Sequence, residues 1–295
     1  MSSSRAASRW GRRSSKTEIK MSETITLSPL KTLFKFPFQG PDWRNRFIVG
    51  AALIFAGFAI PIVPGIFVFG YTLQIMRQVI EGRELELPAW DDWGKFGVDG
   101  LRLLVVGLAY LLPGLLVMFI GFAAYFGMLF SLPFINSANE GAFMLLMFGS
   151  MGVMMLSMTL GMLLLILGFI PLPAATAHFV AEDKVSAAFK VRQWQSLIKV
   201  NKLGYFATWV VVLGLAMVLY QLFIVVYSTI ILCWLLPLLI APIGFYIQVV
   251  GAAVFAQTYR ESKAMAAEEQ VALPEETEPE DSAEDDSGES LEPPS

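Results

Sequence analysis

Asp91, Asp92 and Asp99 lie close together in LPAWDDWGKFGVDGLRLL, with Tyr71 and Arg77 a short way upstream. Three carboxylates and a guanidinium could form an acidic binding site or, at a membrane surface, an acid–base site for an enzyme. Placing residues 92–102 on a wheel of about 100° per residue gives another reading. Asp92, Lys95, Asp99 and Arg102 fall together and alternate in sign, so that neighbours pair along the helix at roughly 0.2–0.5 kcal/mol each. Trp93, Phe96, Gly97, Gly100 and Leu101 take the other side. Alternating charge of this kind marks a solvated face. The wheel therefore favours an interfacial helix, N-capped by Asp91 after the helix-blocking Pro88, with Trp90 and Trp93 at headgroup level. Tyr71, Arg77, Asp91, Asp92 and Asp99 remain interaction candidates, without an assigned catalytic role.

Other reactive groups are scarce. A single cysteine, Cys233, excludes an intrachain disulfide, and a single histidine, His178, cannot build a histidine metal cluster. His178 follows Pro171 and Pro173 and reads as an interface residue. No HExxH, GxSxG, Walker or paired-carboxylate motif falls in the apolar stretches. Met144, Met147, Met151, Met154, Met155, Met158 and Met162 share an arc of about 100° at helical spacing. Such a thioether face could hold Cu(I), but no Cys or His accompanies it. Methionine is an adaptable filler, and the adjacent stripe of Ser150, Ser157, Gly161 and Gly168 would let helices approach closely in lipid. Packing is the simpler account. The sequence thus gives no catalytic residue, no metal site and no cofactor, and an enzyme is not expected.

The elements that carry these residues follow from charge and hydropathy. The chain is 56% hydrophobic and 16% charged, with mean hydropathy +0.61. Four windows contain no Asp, Glu, Lys or Arg: 47–76, 103–139, 141–181 and 203–259. Each exceeds the roughly 20 residues a spanning helix requires, and the last is long enough to cross twice, turning near Ser228–Trp234. The first holds IPIVPG at its centre, where Pro61 and Pro64 break helix. It reads as a helical hairpin, 47–60 and 65–82, either re-entrant or just spanning, with a single kinked span as the competing topology. The expected fold is all-α: a polytopic transmembrane helical bundle of four clear spans plus an N-terminal Pro-broken hairpin, five to six membrane helices in all. Charge-free windows also argue against an ion-coupled transporter or proton pump, which keeps ionisable groups inside the membrane.

Basic residues set the orientation. They cluster before the first window, in the loops around 77–102 and 184–202, and at Arg260 and Lys263, whereas the connection Asn136–Gly141 has none. This places the protein in the cell (inner) membrane, with that connection outside, the C-terminus cytoplasmic and the N-terminus on the same side. The loop AEDKVSAAFKVRQWQSLIKVN should be helical after Asp183 or a neighbour, with its apolar positions spread around the wheel and its five basic residues drawn to anionic headgroups. Twelve of the twenty-five acidic residues fall in 264–295, which has no Lys or Arg. Three segments result: a disordered or juxtamembrane 1–41, a membrane domain 42–263 and a disordered acidic tail 264–295. The tail reads as solubilising, with bait for a basic partner or mimicry of nucleic acid as the functional alternatives. Residues 1–20, rich in Ser and Arg, resemble a transit peptide or the product of a start assigned upstream of Met21.

The run GYTLQIMRQVIEGRELELPAWDDWGKFGVDGLRLL, Gly70 to Leu104, resembles a prokaryotic multi-pass membrane family filed as domain of unknown function 4013. The Gly70-Tyr71 pair, Arg77, the stretch Leu87–Trp93 and Asp99-Gly100 carry the resemblance, with SAAF at Ser186–Phe189 and AQTYRE at Ala256–Glu261. It covers about 42–263 and implies an architecture but no activity. The expected role is a non-enzymatic scaffold or partner-binding membrane subunit, whose partners are the lipid bilayer and a membrane protein or a second copy, and not nucleic acid. The alternative is a facilitator or flippase-like carrier for an apolar or lipid substrate.

Overall fold

The computed structural model describes residues 27–131, 140–228 and 235–272. Ten α-helices follow one another in these residues: α1 (Leu27–Lys35), α2 (Trp43–Ala56), α3 (Val63–Ile80), α4 (Trp93–Ser131), α5 (Glu140–Phe169), α6 (Leu172–Glu182), α7 (Val185–Ala188), α8 (Val191–Val200), α9 (Lys202–Ser228) and α10 (Leu236–Ala272). A short 3-10 turn, Phe36–Phe38, joins α1 to the segment before α2. No strand occurs among the described residues. The all-α bundle expected from the sequence is what is found.

Among the described residues, four stretches are long and apolar enough to cross a membrane: Trp93–Ser131, Gly141–Glu182, Lys202–Ser228 and Leu236–Val271. At about 1.5 Å per residue the 39-residue α4 is roughly 58 Å long, well beyond a hydrocarbon core of about 30 Å. The 57-residue window does divide in two, α9 ending at Ser228 and α10 starting at Leu236. The first window forms a helix pair. α2 stops at Ala56, and α3 begins at Val63 with a proline in its first turn, where a missing N–H costs nothing. Between them Ile62 takes a φ of +79°, a conformation costly for a β-branched residue.

The interior is built on α3. Val68, Tyr71, Leu73, Ile75, Met76 and Val79 are buried, packed with Phe96 and Val106 of α4, Ala174–Val180 of α6 and Phe245–Tyr259 of α10. Backbone contact sets one of these crossings, from both sides. A Cβ on Gly70 would overlap the Phe96 carbonyl, and one on Gly100 would overlap the Ile66 carbonyl, so α3 and α4 touch where each lacks a side chain. The α4–α5 hairpin repeats the device. A Cβ on Gly114 would lie 2.8 Å from the Gly161 carbonyl oxygen and one on Gly161 would lie 2.9 Å from that of Gly114, while Gly121 meets Ser157 and Gly168 meets Tyr110. The small-residue stripe is therefore the α4 contact. The methionines beside it are largely exposed.

Three expectations are revised. Residues 93–102 form the first turns of α4 and run straight into its span, and the cap is Asp92, whose Oδ1 accepts the Lys95 backbone N–H at 3.0 Å, not Asp91. Asp99 is buried although its wheel face reads as solvated, because α3 crosses over Phe96 and Gly100 and covers the neighbouring strip. The second basic loop folds as two helices. Its break at Phe189–Lys190 resets the wheel, so α8 has a clean inward face of Trp194, Leu197 and Ile198. Leu33 of α1 and Phe36 of the 3-10 turn are buried, and α10 extends to Ala272. Residues 1–26, 132–139, 229–234 and 273–295, and with them the expected outward connection, the expected turn and most of the acidic tail, lie outside the described residues.

Candidate functional site

The loop from Glu81 to Asp92 leaves α3 and folds back along it before α4 begins. Aromatic stacking holds it there. Tyr71 is fully buried, its ring stacked on Trp90 at 4.1 Å with planes 10° apart, and its hydroxyl donates to the Pro88 carbonyl at 2.9 Å. Trp90 stacks in turn on Trp93 and donates its indole N–H to the Arg46 carbonyl at 2.8 Å. Arg46 closes the arrangement by donating to the Leu87 carbonyl and lying 3.7 Å from Glu86. Positive φ at Gly82, +69°, lets the chain reverse. The LPAWDDW stretch is thus a strap clamped across α2, α3 and α4, with Tyr71 as its anchor.

Arg77 leaves the same helix one and a half turns later and gathers three partners. Its guanidinium donates to Asp99 at 3.3 Å, to Asp183 at 3.0 Å and to the Gln74 side-chain oxygen at 3.1 Å. Asp99 also accepts from Arg102 at 3.4 Å. The Asp99 side chain is only 6% exposed, against 70% for Asp183 and 45% for Arg102. Two cations and two anions balance, and the network joins α3, α4 and the C-cap of α6. Asp183 sits at φ +50°, a left-handed position that aspartate tolerates better than most residues.

Of the five sequence candidates, Arg77 and Asp99 come together and Tyr71 anchors the strap beside them. Asp91 and Asp92 are exposed at the start of α4. Asp92 is committed to its cap, and neither carboxylate is bonded to Arg77. The arrangement can hold helices in register and present a small charged surface. It places no nucleophile or unpaired acid beside a cavity.

A second polar link stands where the sequence offered only an isolated histidine. His178 is buried on α6, with Nδ1 2.8 Å from the Tyr259 hydroxyl of α10 and Nε2 3.0 Å from the Gln193 side-chain oxygen of α8. The tautomer with the proton on Nε2 satisfies both contacts, donating to the Gln193 oxygen and accepting from the Tyr259 hydroxyl at Nδ1. Thr208 and Thr258 join α9 to α10 through a 2.6 Å hydroxyl contact nearby. Asp183, Tyr259 and Gln193 were not among the site candidates read from the sequence. Their partners lie 106, 81 and 15 residues away, and nothing in local spacing reports such pairings.

Among the residues described, no group of three or more His, Cys, Asp or Glu is placed to hold a metal ion. No curated protein and no solved structure matches the chain. One family model does, over residues 52–228, a span that takes in Gly70–Leu104 and SAAF and leaves AQTYRE outside. With more than half of its length matched, the chain belongs to the family described as protein of unknown function (DUF4013).

Proposed function

We propose that this integral membrane protein is a non-enzymatic scaffold, a partner-binding subunit whose docking surface is the methionine flank of α5. Three of the four candidate spans are barely covered within the chain. In the most apolar 18-residue stretch of each candidate span, 44% of residues are buried in Leu236–Val271, but only 11% in Trp93–Ser131 and 6% in each of Gly141–Glu182 and Lys202–Ser228. Within their spans α5 leans on α4, and α9 leans on α10.

Lipid tolerates apolar faces, so exposure alone favours nothing. Composition does. Met144, Met147, Met151, Met155, Met158 and Met162 are exposed along one side of α5, whereas its other large exposed apolar residues are aliphatic or phenylalanine, among them Leu145, Leu146, Phe148, Val153, Leu156, Leu160, Leu163 and Leu167. Flexible thioethers repack against varied surfaces, which a lipid-facing side does not need and a docking side uses. The proposed orientation keeps both basic loops and both termini in the cytoplasm, where the Arg77–Asp99–Asp183 network braces the helices under the docking spans.

Affinity purification in mild detergent tests this reading. A membrane protein or a second copy should co-purify with the wild type and be lost from Met151→Arg and Met155→Arg at unchanged yield. Reproducible recovery of a lone, monodisperse chain would overturn it. The competing reading, a facilitator or carrier for an apolar or lipid substrate, draws on a lateral recess of about 430 Å³ between α3, α4, α6 and α10. Reconstituted vesicles showing no movement of lipids or apolar solutes would remove it.

A further inference from the structure

The recess has features that go beyond a gap between helices. Phe69, Met76, Leu104, Leu108, Leu111, Phe169, Leu172 and Phe255 give it apolar walls. Leu108 and Phe169 at its margin are about half exposed. Both belong to stretches apolar enough to cross a membrane, which suits an opening toward hydrocarbon. Its volume of about 430 Å³ falls within the range of roughly 300–1,000 Å³ typical of small-molecule sites.

Two polar groups look into this apolar space. Gln248 of α10 and Thr176 of α6 line it, and neither side chain is hydrogen-bonded to any described residue. Thr176 is more than nine-tenths buried. Thr72, also in the wall, differs in that its hydroxyl already donates to the Phe69 carbonyl at 2.7 Å. An amide and a hydroxyl left unpaired in a lipid-facing cavity are unfavourable, because no water is there to satisfy them. Both can donate. The complementary ligand is a flexible apolar chain that carries an acceptor oxygen.

We propose that the recess binds one acyl chain, with the chain between α3, α4 and α6 and its carbonyl oxygen accepting from the Gln248 amide and the Thr176 hydroxyl. This is a resident binding site, independent of the partner-binding reading and of any movement across the membrane. Gly107 supplies a clean way to fill it. It lines the cavity, and a Cβ built there meets no atom within 4 Å.

The experiment is photo-crosslinking of the full-length protein in nanodiscs, with a diazirine-bearing palmitic acid in one arm and a phosphatidylcholine carrying the same chain in the other. The expected result is labelling concentrated on Leu104, Leu108 and Phe169, competed by unlabelled palmitate and reduced at least about tenfold in Gly107→Leu. Gly127→Leu, on the same helix at a position equally free of neighbours, should label like the wild type. Thr176→Val with Gln248→Leu should also lower labelling, which keeps the test decisive if the Gly107 variant does not fold. Labelling by the free acid alone assigns an unesterified chain, and labelling by the phospholipid assigns a membrane lipid. Labelling that does not saturate, or that spreads evenly over Leu145, Leu156 and Leu163, overturns the proposal. So does unchanged labelling in a folded Gly107→Leu protein.

Discussion

The charge network offers an ordering of three substitutions that depends on burial rather than on bond count. Arg77→Met leaves Asp99, 6% exposed, with Arg102 as its one partner at 3.4 Å, and that arginine is itself 45% exposed. A buried carboxylate stripped of its main counter-ion costs about 3–5 kcal/mol. Asp99→Asn is milder, about 1–3 kcal/mol, because Arg77 keeps Asp183 at 3.0 Å and Gln74 at 3.1 Å. Asp183→Asn removes a contact of similar length from a side chain 70% exposed, and solvent screening limits its effect to about 0–1 kcal/mol. Thermal unfolding of the full-length protein in mild detergent, followed by tryptophan fluorescence, reads the series. At about 2–4 °C per kcal/mol, Arg77→Met should lower the midpoint by on the order of 10 °C and Asp183→Asn by no more than about 4 °C. Arg77→Met combined with Asp99→Leu should recover much of the single-variant loss, since an apolar replacement for a whole buried pair is often neutral. If Asp183→Asn proves as damaging as Arg77→Met, or the combined variant loses the sum of its parts, the network is not the burial-controlled brace described above.

Three further outcomes follow from the packing. Gly114→Val and Gly161→Val force the α4–α5 backbones apart, and each should cost at least about 1–3 kcal/mol in the same melt, whereas Gly149→Val and Gly152→Val, with no neighbour within 4 Å, should leave it unchanged. His178→Ala removes both its hydrogen bonds and leaves a void between α6, α8 and α10, lowering stability by about 2–4 kcal/mol, while Gln193→Ala, on the more exposed side of that link, should cost about 1 kcal/mol. Tyr71→Phe keeps the Trp90 stack and loses only the bond to Pro88, so a loss of about 1 kcal/mol is expected, together with faster protease nicking of the Glu81–Asp92 strap.

Much of the architecture was legible because lipid reduces membrane folding to a few readable rules. Charge-free windows gave the spans, and Pro61 and Pro64 gave the α2–α3 break. The stripe of Ser157, Gly161 and Gly168 marked a contact face, which proved to be the one meeting Gly114 and Gly121. The failures share a cause. A wheel for 92–102 shows which residues are neighbours on one helix, but not that Gly70 and Gly100 bring α3 close enough to bury Asp99. Extending one helical period across 183–201 blurred the face of α8, because the chain restarts at Phe189–Lys190. Arg77 was legible as a candidate from its place before the strap. Asp183 was not, since a pairing across 106 residues is set by the crossing of α3 and α6 and leaves no local pattern. The recess was equally hidden. Thr176 and Gln248 are unremarkable in sequence, and only the assembled bundle places both against the same cavity.

The most direct test of the scaffold reading is spin-label accessibility along α5 in native membranes, with labels at Met147, Met151 and Met155 and, on the other exposed side, at Leu145, Leu156 and Leu163. An occupied docking flank predicts that the methionine positions are shielded from both lipid-soluble oxygen and a water-soluble nickel chelate, while the leucine positions relax freely with oxygen. Equal oxygen access on both sides would show a helix bathed in lipid all around and would contradict the account.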